Sequence, residues 1–154
     1  MKIRPHTLWR VPVYCLFSGV VTFLLTAYFG GFFFGVQTPG PDGAILLSID
    51  PVRSAVFNGL LFLAVLLIGG LYFLRSMTKA EIALSASIAI GIYLSITLLQ
   101  ILLPNFPLSV SIALAYVQNW IGILSSLLMN LTGHLYLSAV LACFAPALFI
   151  PFGK

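Results

Sequence analysis

The 72 residues from Ile82 through Gly153 contain no Asp, Glu, Lys or Arg. Apolar positions are continuous there rather than alternating, so they do not read as half-exposed strands. The run is broken by Pro104-Asn105-Phe106-Pro107 and, more weakly, by Asn130-Leu131-Thr132-Gly133. It divides there into pieces long enough to cross a bilayer. Residues 11–41 are likewise free of charge. The pattern predicts five apolar helices, over residues 11–35, 52–74, 80–103, 108–129 and 134–150. The last has 17 residues, contains Pro146, and sits at the short end of the spanning range. The alternative is four spans, with residues 131–150 re-entrant or interfacial. Hydrocarbon offers no water to backbone amides, so spanning segments are helices or closed barrels. Continuous apolar runs select helices. The expected fold is all-α: a polytopic transmembrane helical bundle, one domain over residues 1–154.

Polar residues and helix breakers mark the ends of these spans. Pro12 suits a first helical turn, where its missing N–H costs nothing. Val36-Gln37-Thr38-Pro39-Gly40-Pro41-Asp42-Gly43 reads as a turn-rich loop. Residues 44–50 are apolar but too short to span, and are expected to lie at the interface. Asp50-Pro51 has the form of an N-cap followed by a first-turn proline. Thr78-Lys79-Ala80-Glu81 matches a capping box, which accounts for the single glutamate of the chain.

Composition turns this pattern into a statement about solvent. Hydrophobic residues make up 61% and charged residues 6%, against about 25% charged in soluble domains. So few charges cannot cover a water-facing surface, and so apolar a chain is not disordered. The net charge of +4 is too thinly spread to track a nucleic-acid backbone, and nucleic acid is not an expected partner. The charges instead report topology. Lys2, Arg4 and Arg10 precede the first span, and Arg75 and Lys79 separate the second from the third. The positive-inside rule therefore places the N-terminus in the cytoplasm and the chain in the cell membrane. Five alternating spans put Lys154 outside with Arg53, Asp42 and Asp50; four put it inside. The apolar stretch after Arg10 exceeds a signal-peptide core, so it reads as a retained span. Trp9 marks its inner edge, and Tyr28, Phe29, Phe32, Phe33 and Phe34 its outer end. Trp120 falls mid-span, as a packed side chain or the marker of a cavity.

Intramembrane polar residues are costly and need a reason. Ser111, Ala115, Gln118, Gly122 and Ser125 recur at helical spacing on the fourth span, widened by Asn119 and Ser126. Such a face is expected to look at protein or water. Gln100 and His134 are candidates to join it. Small residues form two packing stripes: Gly31 and Gly35 as GxxxG in the first span, and Ala83, Ser87, Gly91 and Ser95 in the third. Reactive chemistry finds no foothold. There is no GxSxG, and Glu81 is separated from Asp42 and Asp50. Cys15 and Cys143 differ by roughly 9 Å in expected depth, which disfavours a disulfide. His6 and His134 do not cluster with them as a metal site. Asn130-Leu131-Thr132 matches a glycosylation sequon by chance, on the expected inner side. No catalytic, cofactor or metal residue is assigned. Two functions remain. The first is a non-enzymatic accessory, assembly or immunity-type protein that acts through helix contacts in the lipid bilayer, with a second copy or another membrane protein. The alternative is an uncoupled transporter or channel for a small neutral or weakly polar solute.

Overall fold

The computed structural model describes residues 7–39, 45–103 and 107–154. The expectations for Lys2, Arg4 and His6, for the 40–44 turn and for Pro104-Asn105-Phe106 lie outside the described residues. The chain forms α1 (Arg10–Phe34), β1 (Gly35–Pro39), β2 (Ile45–Ile49) and α2 (Pro51–Ile68), which continues as one π turn (Gly69–Phe73). Then follow α3 (Lys79–Leu102), α4 (Leu108–Thr132) and α5 (Leu135–Ala142), the last extended by a 3₁₀ segment (Ala145–Phe152). With these extensions, five helices are long and apolar enough to cross a membrane. The fold is an all-α bundle carrying one small hairpin.

Local chemistry sets the helix ends. The Asp50 carboxylate accepts the Val52 and Arg53 N–H groups at 2.9 and 3.1 Å, two donors that a helix start leaves unpaired. The Thr78 hydroxyl accepts the Glu81 N–H at 3.3 Å, and the Glu81 carboxylate accepts the Thr78 N–H at 2.9 Å. The break after α4 falls at Gly133, with φ of 69°, rather than at Asn130. Pro146 would clash with the carbonyl four residues back, and α5 ends there, at Ala142. The chain continues as 3₁₀ helix, whose rise of about 2 Å per residue lengthens this otherwise short last span.

Residues 36–39, expected in a loop, and 45–49, expected to be too short to span, pair with one another. They are the two strands of an antiparallel hairpin, in register from Gly35↔Ile49 to Pro39↔Ile45. Each segment is too short to cross a membrane, yet each has a backbone to satisfy. Pairing with the other does so.

Long-range hydrogen bonds define the two ends of the bundle. At the first, Arg10 Nη1 donates to Ser76 Oγ at 2.9 Å, and the Val11 N–H donates to Ser85 Oγ at 3.2 Å. There too the Lys79 N–H donates to the Lys154 carbonyl at 3.2 Å, and the Lys154 N–H to the Met77 carbonyl at 3.0 Å. At the second, the Asp50 N–H donates to the Phe34 carbonyl at 2.9 Å, and Ser126 and Asn130 of α4 face Ser54 and Asn58 of α2. Hence α1, α3 and α4 run from the first end towards the second, and α2 and α5 run back. Lys154 lies at the end of Arg10 and Arg75, the side that the four-span alternative gave it, and Asn130, expected at that same end, lies at the hairpin end instead. The cause is that α3 and α4 run in the same sense although five residues join them. Five residues reach roughly 20 Å when extended, short of the roughly 30 Å hydrocarbon layer. The end of α3 and the start of α4 therefore lie no further apart than that reach. Consecutive in sequence, α3 and α4 hardly touch.

What α4 does touch is α1. A Cβ on Gly19 would lie 2.1 Å from the Val117 carbonyl oxygen, so a glycine is required for the helices to cross this closely. The core around the crossing is aromatic. Trp120, fully buried, stacks on Phe62 of α2 (centroids 5.2 Å, planes 9° apart) and on Phe149 of the 3₁₀ segment (5.5 Å, 25°). Phe149 meets Tyr14 of α1 edge-on at 5.7 Å, and the Tyr14 hydroxyl donates to the Val65 carbonyl at 2.7 Å. Trp120 is thus the packed side chain of the two readings given to it. Room for Phe149 comes from Gly69, where a Cβ would meet the Tyr14 and Phe149 rings at 2.4 and 2.8 Å.

Candidate functional site

The polar residues of α4 point in three directions rather than one, because α4 is gripped on several sides. Gln118, Gly122 and Ser125 turn towards α3 and α5. They line a cleft of about 120 Å³ with Thr97 and Gln100 of α3, closed by the small side chains of Ala139 and Ala142. Gln100 thus lies beside Gln118, Gly122 and Ser125 of α4. Thr97 was missed, although its place three residues before Gln100 puts both on one side of α3. The cleft carries two amides and two hydroxyls among apolar walls. Thr97 Oγ1 lies 3.3 Å from the Cys143 Sγ. Gln118 Nε2 is buried and has no hydrogen-bond partner among the described residues.

Asn119 turns the other way. Its Nδ2 donates to Thr22 Oγ1 of α1 at 3.0 Å, and Thr22 Oγ1 donates to the Gly19 carbonyl at 3.0 Å. This relay ties α4 to α1 beside their closest approach, and Asn119 does not line the cleft. Ser126 returns its hydroxyl to the Gly122 carbonyl at 3.0 Å and borders the separate cleft of about 260 Å³ at the hairpin end. Ser111 is half-buried near the start of α4, and Ala115 is exposed. His134 precedes α5 as its N-cap residue and is exposed. Its carbonyl accepts the Ser138 hydroxyl at 2.8 Å. Its ring does not line the Gln118 cleft.

The packing stripes lie on the outside of the chain. Ser87, Gly91 and Ser95 are exposed, and a Cβ on Gly91 would meet nothing within 4 Å. Gly31 is exposed and equally open, and Gly35 belongs to the hairpin. The face of α3 that packs inside the chain is instead Ser85, Ala86, Ala89, Tyr93 and Thr97. Cys15 and Cys143 are both free and buried. Among the described residues no three His, Cys, Asp or Glu side chains converge in a metal-holding group.

No protein family, curated protein or solved structure matches this chain.

Proposed function

We propose that this chain is a non-enzymatic membrane protein that acts through helix contacts, as an accessory, assembly or immunity-type partner. The observation that carries this reading is the outward stripe of α3. Ser87 and Ser95 return their hydroxyls to the Ala83 and Gly91 carbonyls at 2.9 and 2.8 Å, so the stripe offers a low, self-satisfied surface around open Gly91. Lipid tails gain nothing from so flat a face, whereas another helix gains close backbone approach. The occupant is a second copy or another membrane protein. The setting is a cell membrane, with the Arg10 end in the cytoplasm. Of the five described basic residues, Arg10, Arg75, Lys79 and Lys154 lie at that end and Arg53 at the other, which is the bias the positive-inside rule describes. Energy transfer between differently labelled copies in liposomes, with crosslinking to native membranes for other partners, tests the reading. Gly91→Leu is expected to weaken association about tenfold, equivalent to ~1.4 kcal/mol. A chain that stays monomeric and partnerless, or one indifferent to Gly91→Leu, sinks it.

The Gln118 cleft favours a second reading, passage of a small neutral solute. A buried amide donor without a partner is the kind of group a solute would satisfy. Flux into liposomes loaded with neutral solutes is then expected to fall on Gln118→Leu combined with Gln100→Leu. Flux unchanged in that pair counts against the reading. Asn119→Leu is the structural control, since Asn119 faces α1.

A further inference from the structure

At the Arg10 end, α1 and the last turn of α2 enclose a groove of about 610 Å³. That lies within the range of about 300–1,000 Å³ usual for clefts that hold a small molecule. Arg10, Ser76, Val13, Phe17 and Phe73 are among its lining, and Arg10 opens α1, so the charge stands at one end of the lining face. On α1 the lining positions 10, 13, 14 and 17 follow one helical face, and so extend roughly 10 Å inward from the guanidinium. Val13, Phe17 and Phe73 are 59%, 66% and 58% exposed, unlike the packed aromatics of the core.

The π turn builds the second wall. The Leu74 N–H reaches back five residues to the Gly69 carbonyl at 2.9 Å, and the wider turn brings the Phe73 ring to 5.2 Å from that of Tyr14. Turns of this kind recur at functional sites. Ser76 Oγ accepts one Arg10 N–H, which steadies the guanidinium and leaves its remaining donors for a ligand. None of the lining residues is a carboxylate.

We infer that this groove holds one phospholipid with an anionic headgroup, its phosphate on Arg10 and an acyl chain along Val13, Phe17 and Phe73. The planar fork of arginine suits a phosphate, and the apolar length starts where a headgroup ends. Arg75, Lys79 and Lys154 at the same end add the attraction that basic residues give to anionic leaflets. The occupant is a lipid rather than a helix, because the groove combines a charged end with exposed aromatic walls, and its helical walls carry none of the small residues that let helices approach. The inference is independent of the α3 stripe.

The test is native mass spectrometry of the full chain. It is delipidated in neutral detergent and offered equal phosphatidylglycerol and phosphatidylcholine with matched acyl chains. The first bound lipid is expected to be phosphatidylglycerol by about fivefold. Arg10→Gln should bring that ratio close to one, while Arg53→Gln, at the opposite end, should leave it unchanged. Val13→Trp, which fills the groove, should remove the first lipid altogether while the thermal transition persists. Equal binding of the two lipids overturns the inference, as does the same response to Arg10→Gln and Arg53→Gln. So does a first lipid that survives Val13→Trp. Displacement of the lipid by millimolar inorganic phosphate would reduce the groove to a plain anion site, and overturn it too.

Discussion

At Gly19 two helix backbones come as near as the loss of a side chain allows. A methyl there would press on the Val117 carbonyl, 2.1 Å away, and a carbonyl inside a helix cannot turn aside. Gly19→Ala is expected to cost about 1–3 kcal/mol, the range for overpacking a tight contact, read by denaturant titration in detergent. Gly31→Ala and Gly122→Ala enter open space and should stay within about 0.5 kcal/mol of the parent. The Asn119–Thr22 bond beside Gly19 is worth less, since interhelical hydrogen bonds in membranes average about 0.6 kcal/mol. Sterics, then, decide this crossing. Within the chain, the closest approach falls at Gly19 and not at the small-residue stripes of the sequence. A stripe shows which face permits close approach, and not whether the approaching helix belongs to the same chain. Gly31 and Gly91 fall in stripes and face out; Gly19 falls in neither and is the pivot. The same limit applies to Gln118 and Asn119, adjacent in sequence and committed to opposite neighbours.

Helix starts were legible because their signals are local. Asp50-Pro51 and Thr78-Lys79-Ala80-Glu81 carry donor and acceptor within four residues, and no distant contact is needed to place them. Thr78→Ala should cost about 1 kcal/mol, and Thr78→Ser much less, in the same unfolding assay. Equal stability of the two variants would show that the box is ornamental in this bundle. The hairpin was not legible. Its strands are five residues each, and the glycines and prolines between them dominate any local reading. Their partnership becomes visible only when α1 and α2 bring Phe34 and Asp50 together. The π turn was hidden for a related reason. Gly69 and Gly70 sit inside an apolar run, and the rings that claim the space come from α1 and from residues 149 and 152.

On the scale of the whole molecule, the number of long apolar helices could be counted from the sequence, but their directions could not. Pro104-Asn105-Phe106-Pro107 looks like a reversal, and each reversal assumed flips every later end. Because α3 and α4 run in one sense, Lys154 returns to the end of Arg10. The consequence is directly measurable. Single cysteines replacing Arg75 and Lys154 should react with an impermeant maleimide from the same side of sealed vesicles, and Asn130→Cys from the other. Cys15 and Cys143 are buried and provide a low background. Labelling of Arg75→Cys and Lys154→Cys from opposite sides would reinstate strict alternation.

The place of Phe149 also sets an order of events. It fills the gap between Tyr14, Trp120 and Gly69, contributed by α1, α4 and α2, and it follows all three in the chain, so it is synthesised after them. Until then the other helices hold an unfilled slot. In water such a slot would expose apolar surface and invite aggregation. In a bilayer, lipid tails are as apolar as the missing ring, so the unfinished bundle can wait in comparative safety. Completion is then an exchange of loosely fitting lipid for a stacked aromatic, driven by packing more than by escape from water.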